Sequence, residues 1–133
     1  MYLFFDTETT GLPNNWNAPV TDLRNWPRLV QLAYLLYDKN GNMLEEGNHI
    51  IKPDGFIIPI DASRIHGITT ERANQDGKSI LTTLQGFHKL ITQSDYLVAH
   101  NMKFDEKIVG AEFLRNNMQN SVLLKNRICT MES

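Results

Sequence analysis

Leu3-Phe4-Phe5-Asp6-Thr7-Glu8-Thr9-Thr10-Gly11 is the stretch that decides how this chain is read. An apolar and aromatic run meets an acidic pair, and a glycine closes it. The apolar part reads as a buried strand. Asp6 and Glu8 are two residues apart, so a strand sets both on one face. Two carboxylates aimed into one space repel each other. A divalent cation between them relieves the repulsion, and hard oxygen ligands suit Mg²⁺ or Mn²⁺. The plain alternative is a strand end that happens to be acidic.

Working outward, residues 13–27 form a polar loop rich in Pro and Asn, holding Trp16 and Trp26. Long loops beside acidic pairs are often functional. Trp16 offers either a stacking face to a base or a cap on a hydrophobic edge. Residues 28–38 are mostly apolar and strand-like, Asn40-Gly41 marks a tight turn, and residues 43–51 return as a strand. These strands and the first make an antiparallel meander. Residues 60–73 read as irregular, then helical, with Thr69 or Thr70 as the cap. His66, before Gly67, either touches a substrate phosphate or ribose or fixes the turn through backbone hydrogen bonds; the second reading is favoured.

Residues 79–93 carry a helical stripe of Ile80, Leu81, Leu84, Phe87, Leu90 and Ile91, capped by Ser79. His88 lies beside that stripe and is read as a packing residue. Residues 96–101 are a short strand, parallel to its neighbour because a helix precedes it. A helix from Met102 to about Asn117 follows, with Asn101 as its cap and Phe104, Ile108, Ala111 and Leu114 inward. Asp105 falls in its first turn, at the strand edge where open α/β sheets bind ligands. Its bland role is to complement the helix dipole. Residues 121–128 read as a last strand through Val122, Leu123, Leu124 and Ile128.

The 133 residues suit one domain. The net charge of −2 gives no global basic field, so any nucleic-acid contact must be local. The single Cys129 excludes an internal disulfide and fits a reducing, cytoplasmic setting. No apolar run approaches a membrane span, and no basic segment precedes the first apolar run, which argues against a signal peptide.

Two motifs stand together: Asp6-Thr7-Glu8-Thr9-Thr10-Gly11, and Ala99-His100-Asn101-Met102-Lys103-Phe104-Asp105. The pair resembles the DEDD-type (DnaQ-like) 3′–5′ exonucleases, the family of the proofreading epsilon subunit of bacterial replicative DNA polymerase. Ile65-His66-Gly67-Ile68-Thr69 resembles a further segment of the epsilon-like branch. The resemblance implies an α/β, ribonuclease H-like fold, with a mixed sheet of an antiparallel three-stranded meander plus parallel strands and helices packed on it. It implies two divalent metal ions (Mg²⁺ or Mn²⁺), with Asp6 bridging both, Glu8 on the first and Asp105 on the second through water. It further implies substrate contacts from Thr7, Thr9, Thr10, Gly11, His66, Asn101 and Phe104. The implied partner is the 3′ end of single-stranded nucleic acid, DNA by the epsilon-like tilt, with a DNA polymerase subunit as a possible companion.

The family's third motif, an Asp preceded by a His or Tyr general base, has no counterpart in these 133 residues. After Asp105 the acidic residues are Glu106, Glu112 and Glu132, none with the family's spacing, and no His follows His100. The resemblance therefore implies an exonuclease domain over residues 1–133 that is incomplete at its C-terminal end and weakly active or inactive, with one apolar sheet face uncovered. General-base assistance alone is worth ~10²–10⁴-fold. The competing reading is a degenerate, non-catalytic module that binds a polymerase or nucleic acid. A haloacid dehalogenase-type phosphatase fits poorly, because Glu8 stands where that chemistry needs a second Asp.

Overall fold

The computed structural model describes residues 1–131; Glu132 and Ser133, the former weighed above as a stand-in acid, lie outside the described residues. Strand β1, Tyr2–Thr9, is the centre of a five-stranded sheet. Its residues alternate: Leu3, Phe5, Thr7 and Thr9 are buried, whereas Tyr2, Phe4 and Asp6 are exposed. β2 is Leu29–Tyr37 and β3 is Met43–Ile50. The turn between them is shaped by Asp38, whose Oδ1 accepts the N–H groups of Asn40 and Asn42, both at 2.9 Å, and by Gly41 at φ 83°.

β1 pairs antiparallel with β2 from Tyr2↔Tyr37 to Thr9↔Leu29, with a register shift between Glu8 and Thr9. β2 pairs antiparallel with β3. β4, Tyr96–Ala99, runs parallel to β1, and β5, Asn126–Cys129, runs parallel to β4. The sheet order is β3-β2-β1-β4-β5. The expected meander joined to parallel strands is therefore the observed one.

Three helices lie between β3 and β4: α1, Ile60–His66; α2, Thr70–Asp76; and α3, Ile80–Gln93. α4, Met102–Arg115, follows β4. Thr69 and Ser79 cap α2 and α3 as expected, accepting from the N–H groups of Arg72 and Thr82. α3 buries Leu84, Phe87, Leu90 and Ile91 in one core with Leu3, Phe5, Leu32, Leu97 and α4's Ile108, Val109 and Phe113. The opposite sheet face stays open: Tyr2, Phe4, Leu35 and Ile128 are 36–39% exposed there.

Four expectations are corrected. Residues 60–66 are helical rather than irregular, ended by Gly67 at φ 78°, whose N–H returns to the Ser63 carbonyl. Leu81 is exposed, because it lies six residues and hence about 120° of helix rotation from Phe87. Asn101 makes no side-chain cap; its carbonyl receives the N–H groups of Phe104 and Asp105 instead. Finally, residues 121–124 form a 3₁₀ turn, and the strand starts only at Asn126. Ser121 and Val122 are buried while Leu123 and Leu124 face water, so the apolar run lacks the alternation a strand needs. The edge ladder uses Asn126 and Arg127, since backbone pairing does not require apolar side chains.

Candidate active site

Asp6 and Glu8 share the outward face of β1, as the two-residue period requires. Thr7 between them points the other way, into the core. There its hydroxyl donates to Asp105 Oδ1 at 2.7 Å. Asp105 sits in the first turn of α4 and is 4% exposed. The acids thus flank the C-terminal end of one strand, two on its open side and one beneath it.

The electrostatics bind them together. Burial pushes the Asp105 carboxyl up to about 6; the Thr7 hydroxyl opposes this, and the charges of Asp6 and Glu8 add to it. Burial also raises Glu8, with the Asp6 charge next and His66 pulling the other way. Among the described residues no three His, Cys, Asp or Glu side chains stand close enough to form a ready metal cage. The donor set is nonetheless all carboxylate oxygen; beyond burial, the charge of Asp6 helps raise both Glu8 and Asp105, a repulsion that a hard cation relieves.

The neighbouring loop is built on backbone bonds. Thr9 Oγ1 donates to the Gly11 carbonyl at 2.8 Å, and the Thr10 hydroxyl accepts the Arg28 N–H at 3.0 Å. His66 Nε2 lies 3.1 Å from the Thr9 carbonyl, and Nδ1 accepts the Ile68 N–H at 3.1 Å. Those partners require a proton on Nε2 and a lone pair on Nδ1. His66 therefore fixes the turn and ties it to the end of β1. Phe104 is half-buried, with its ring centroid 5.5 Å from that of Trp16. His100, exposed at the end of β4, joins Asp6, Asn48 and Thr130 in lining a groove of about 770 Å³ on the open sheet face.

One group escaped the sequence reading. Glu112 is fully buried, accepts the Leu29 N–H at 2.9 Å, and pairs with Arg28 at 3.1 Å and Arg115 at 3.2 Å. Arg115 Nη2 also donates to the carbonyls of Leu23 and Trp26. Glu112 anchors the return of the long loop into β2, where β2 meets Thr9. The available signal was a carboxylate inside the apolar run Ile108-Val109-Gly110-Ala111-Glu112-Phe113, seven residues and two helical turns after Asp105.

No helix among the described residues is long and apolar enough to cross a membrane. A family model described as exonuclease (RNase_T) matches residues 3–133. PolC-type DNA polymerase III of Streptococcus pyogenes serotype M2 is 33% identical over 117 residues, covering 88% of this chain and 7% of that protein. The Streptococcus agalactiae serotype III (strain NEM316) counterpart is 34% identical over the same length and shares. The chain thus spans less than a tenth of the curated relatives it matches. Among solved structures, E. coli exonuclease I with a dA16 oligonucleotide superposes with a TM-score of 0.80 at 24% identity, over 98% of this chain and 28% of that one. The zinc-bound form of the E. coli exonuclease I–single-stranded DNA complex gives 0.78 at 23% identity, over 98% and 28%. These likenesses establish the ribonuclease H-like fold.

Proposed function

This chain belongs to the DnaQ-like exonuclease family, and on that premise we propose that it is a metal-dependent 3′–5′ exonuclease domain acting on single-stranded DNA. One observation carries the reading: Asp105, from the helix after β4, is hydrogen-bonded to Thr7 and lies in the electrostatic field of Asp6 and Glu8. On this reading, carboxylates from distant parts of the chain act together at the edge where parallel strands β1 and β4 end.

Asp6 and Glu8 would hold divalent cations, Mg²⁺ or Mn²⁺, with Asp105 reaching the second through water. Bound there, such ions would supply charge neutralisation for a scissile phosphate and would lower the pKa of a water, so that losing its proton makes it a nucleophile at neutral pH. The chain's own groups do the rest. Thr7 orients the Asp105 carboxylate. His66 holds the backbone of Thr9, Thr10 and Gly11 where a terminal nucleotide would approach. Phe104 and Asn101 border the same edge. The streptococcal relatives are DNA polymerases, which supports DNA as the substrate and a polymerase as companion.

A second reading, a module that binds single strands without cutting them, is favoured by the absence of a three-ligand cage among the described residues. A single-stranded oligonucleotide labelled at either end, incubated with Mn²⁺, separates the two. The expected result is slow, EDTA-sensitive release of the 3′ label that Asp6→Ala abolishes. Binding without release favours the module. Equal release by wild type and Asp6→Ala, or release from the 5′ end alone, would refute the exonuclease assignment.

A further inference from the structure

We infer that the indole of Trp16 is a stacking face for a nucleobase of single-stranded nucleic acid, standing beside the acidic site. The inference rests on the exonuclease reading and adds a binding residue that neither acidic motif contains.

The two tryptophans of the loop behave differently. Trp26 is 3% exposed and its Nε1–H donates to the Pro19 carbonyl, whereas Trp16 is 49% exposed. The Trp16 ring lies against Phe104 at 5.5 Å and an interplanar angle of 44°. Phe104 directly precedes Asp105, so the two rings extend an aromatic surface from the first turn of α4 onto the loop.

The loop that presents this ring is tied down on both sides of it. Asn15 N–H donates to Asn25 Oδ1 at 2.8 Å, Asn25 Nδ2 returns to the Asn15 carbonyl at 2.9 Å, and Asn17 N–H donates to Asn15 Oδ1 at 2.9 Å. Ala18 and Trp26 pack on Ala111 of α4. A ring already held in place loses little freedom when a ligand arrives. Capping an edge of Phe104 does not call for half an indole left in water. Every base has a π-face, so such a platform takes a strand of any sequence. The same loop lines a cleft of about 550 Å³ with Asn14, Arg24 and Asn25 among others, and the exposed Arg24 there suits a phosphate of a strand better than an apolar peptide.

The test is anisotropy of a fluorescein-labelled oligothymidylate with the full chain in Ca²⁺, without turnover. Wild type, Trp16→Ala and Trp16→Phe are compared, each also with oligonucleotides carrying one abasic site moved along the last nucleotides. Trp16→Ala should weaken binding about 5–100-fold, the worth of one stacked base. Trp16→Phe should restore most of it. One abasic position should weaken wild type by the same factor and leave Trp16→Ala unmoved, a coincidence that a merely structural role does not produce. If Trp16→Ala fails to fold, quenching of wild-type indole fluorescence by the oligonucleotide, lost in Trp16→Phe, reads the same contact. Unchanged affinity in a folded Trp16→Ala, or no quenching, overturns the inference alone. A wild type that binds no oligonucleotide overturns the exonuclease reading with it.

Discussion

The Thr7 hydroxyl donates to Asp105 Oδ1 at 2.7 Å across 98 residues of sequence. This contact joins the first strand to the helix after β4 and sets a buried carboxyl on the core side of the strand that carries Asp6 and Glu8. It holds the third acid at the strand end instead of letting it turn outward to water.

That burial makes stability depend on pH. Asp105 has its pKa raised from 3.8 to about 6, so the folded chain binds the proton more tightly than the unfolded chain does. Its stabilising contribution is complete below about pH 3.8 and is lost as pH rises through about 6. Asp105→Asn keeps an acceptor for Thr7 and cannot ionise. Relative to wild type it should gain about 1–3 kcal/mol between pH 4 and pH 7, at 1.36 kcal/mol for each unit of pKa. Urea unfolding in EDTA at several pH values measures this; a difference that stays flat across the window contradicts it.

Glu112 is expected to matter for folding rather than for chemistry. Glu112→Ala strips the partner from Arg28 and Arg115 and the acceptor from the Leu29 N–H. Breaking a buried pair on one side costs about 3–5 kcal/mol. Glu112→Gln keeps one acceptor for Leu29 and should cost less. Denaturant midpoints of both variants test the order, and equal losses would show that the backbone contact counts for nothing.

His66→Ala removes a donor from the Thr9 carbonyl and the acceptor of the Ile68 N–H. A net loss of about 1–2 kcal/mol is expected for two such bonds. Amide hydrogen exchange gives a readout independent of activity. Ile68 should exchange faster in the variant, and protection equal to wild type at Ile68 would remove His66 from this role.

Much of this was open to reading along the chain. Asp6 and Glu8 sit on one face of β1 because strands repeat every two residues, and that period needs no knowledge of the rest. The stripe of α3, Leu81 apart, follows in the same way from the 3.6-residue turn, and its Ser79 cap from a side-chain oxygen able to accept a free N–H. α4 was less legible. Its buried face includes two carboxylates, Asp105 and Glu112, so an apolar count placed Leu114 inward in their stead. At residues 121–128 the strand was expected to start with the apolar Val122, Leu123 and Leu124, although the ladder begins only at Asn126 and runs through Ile128 to Cys129.

Local order along the chain therefore determined the faces of β1, most of the α3 stripe, the Thr69 and Ser79 caps and the acidic motif. Tertiary structure alone decided the partners: Asp105 with Thr7, Glu112 with Arg28 and Leu29, Trp16 with Phe104. The reason is that periodicity is a property of neighbouring residues. The cost of burying a charge, by contrast, is offset by groups 83 to 98 residues away, and only folding brings these within hydrogen-bond reach.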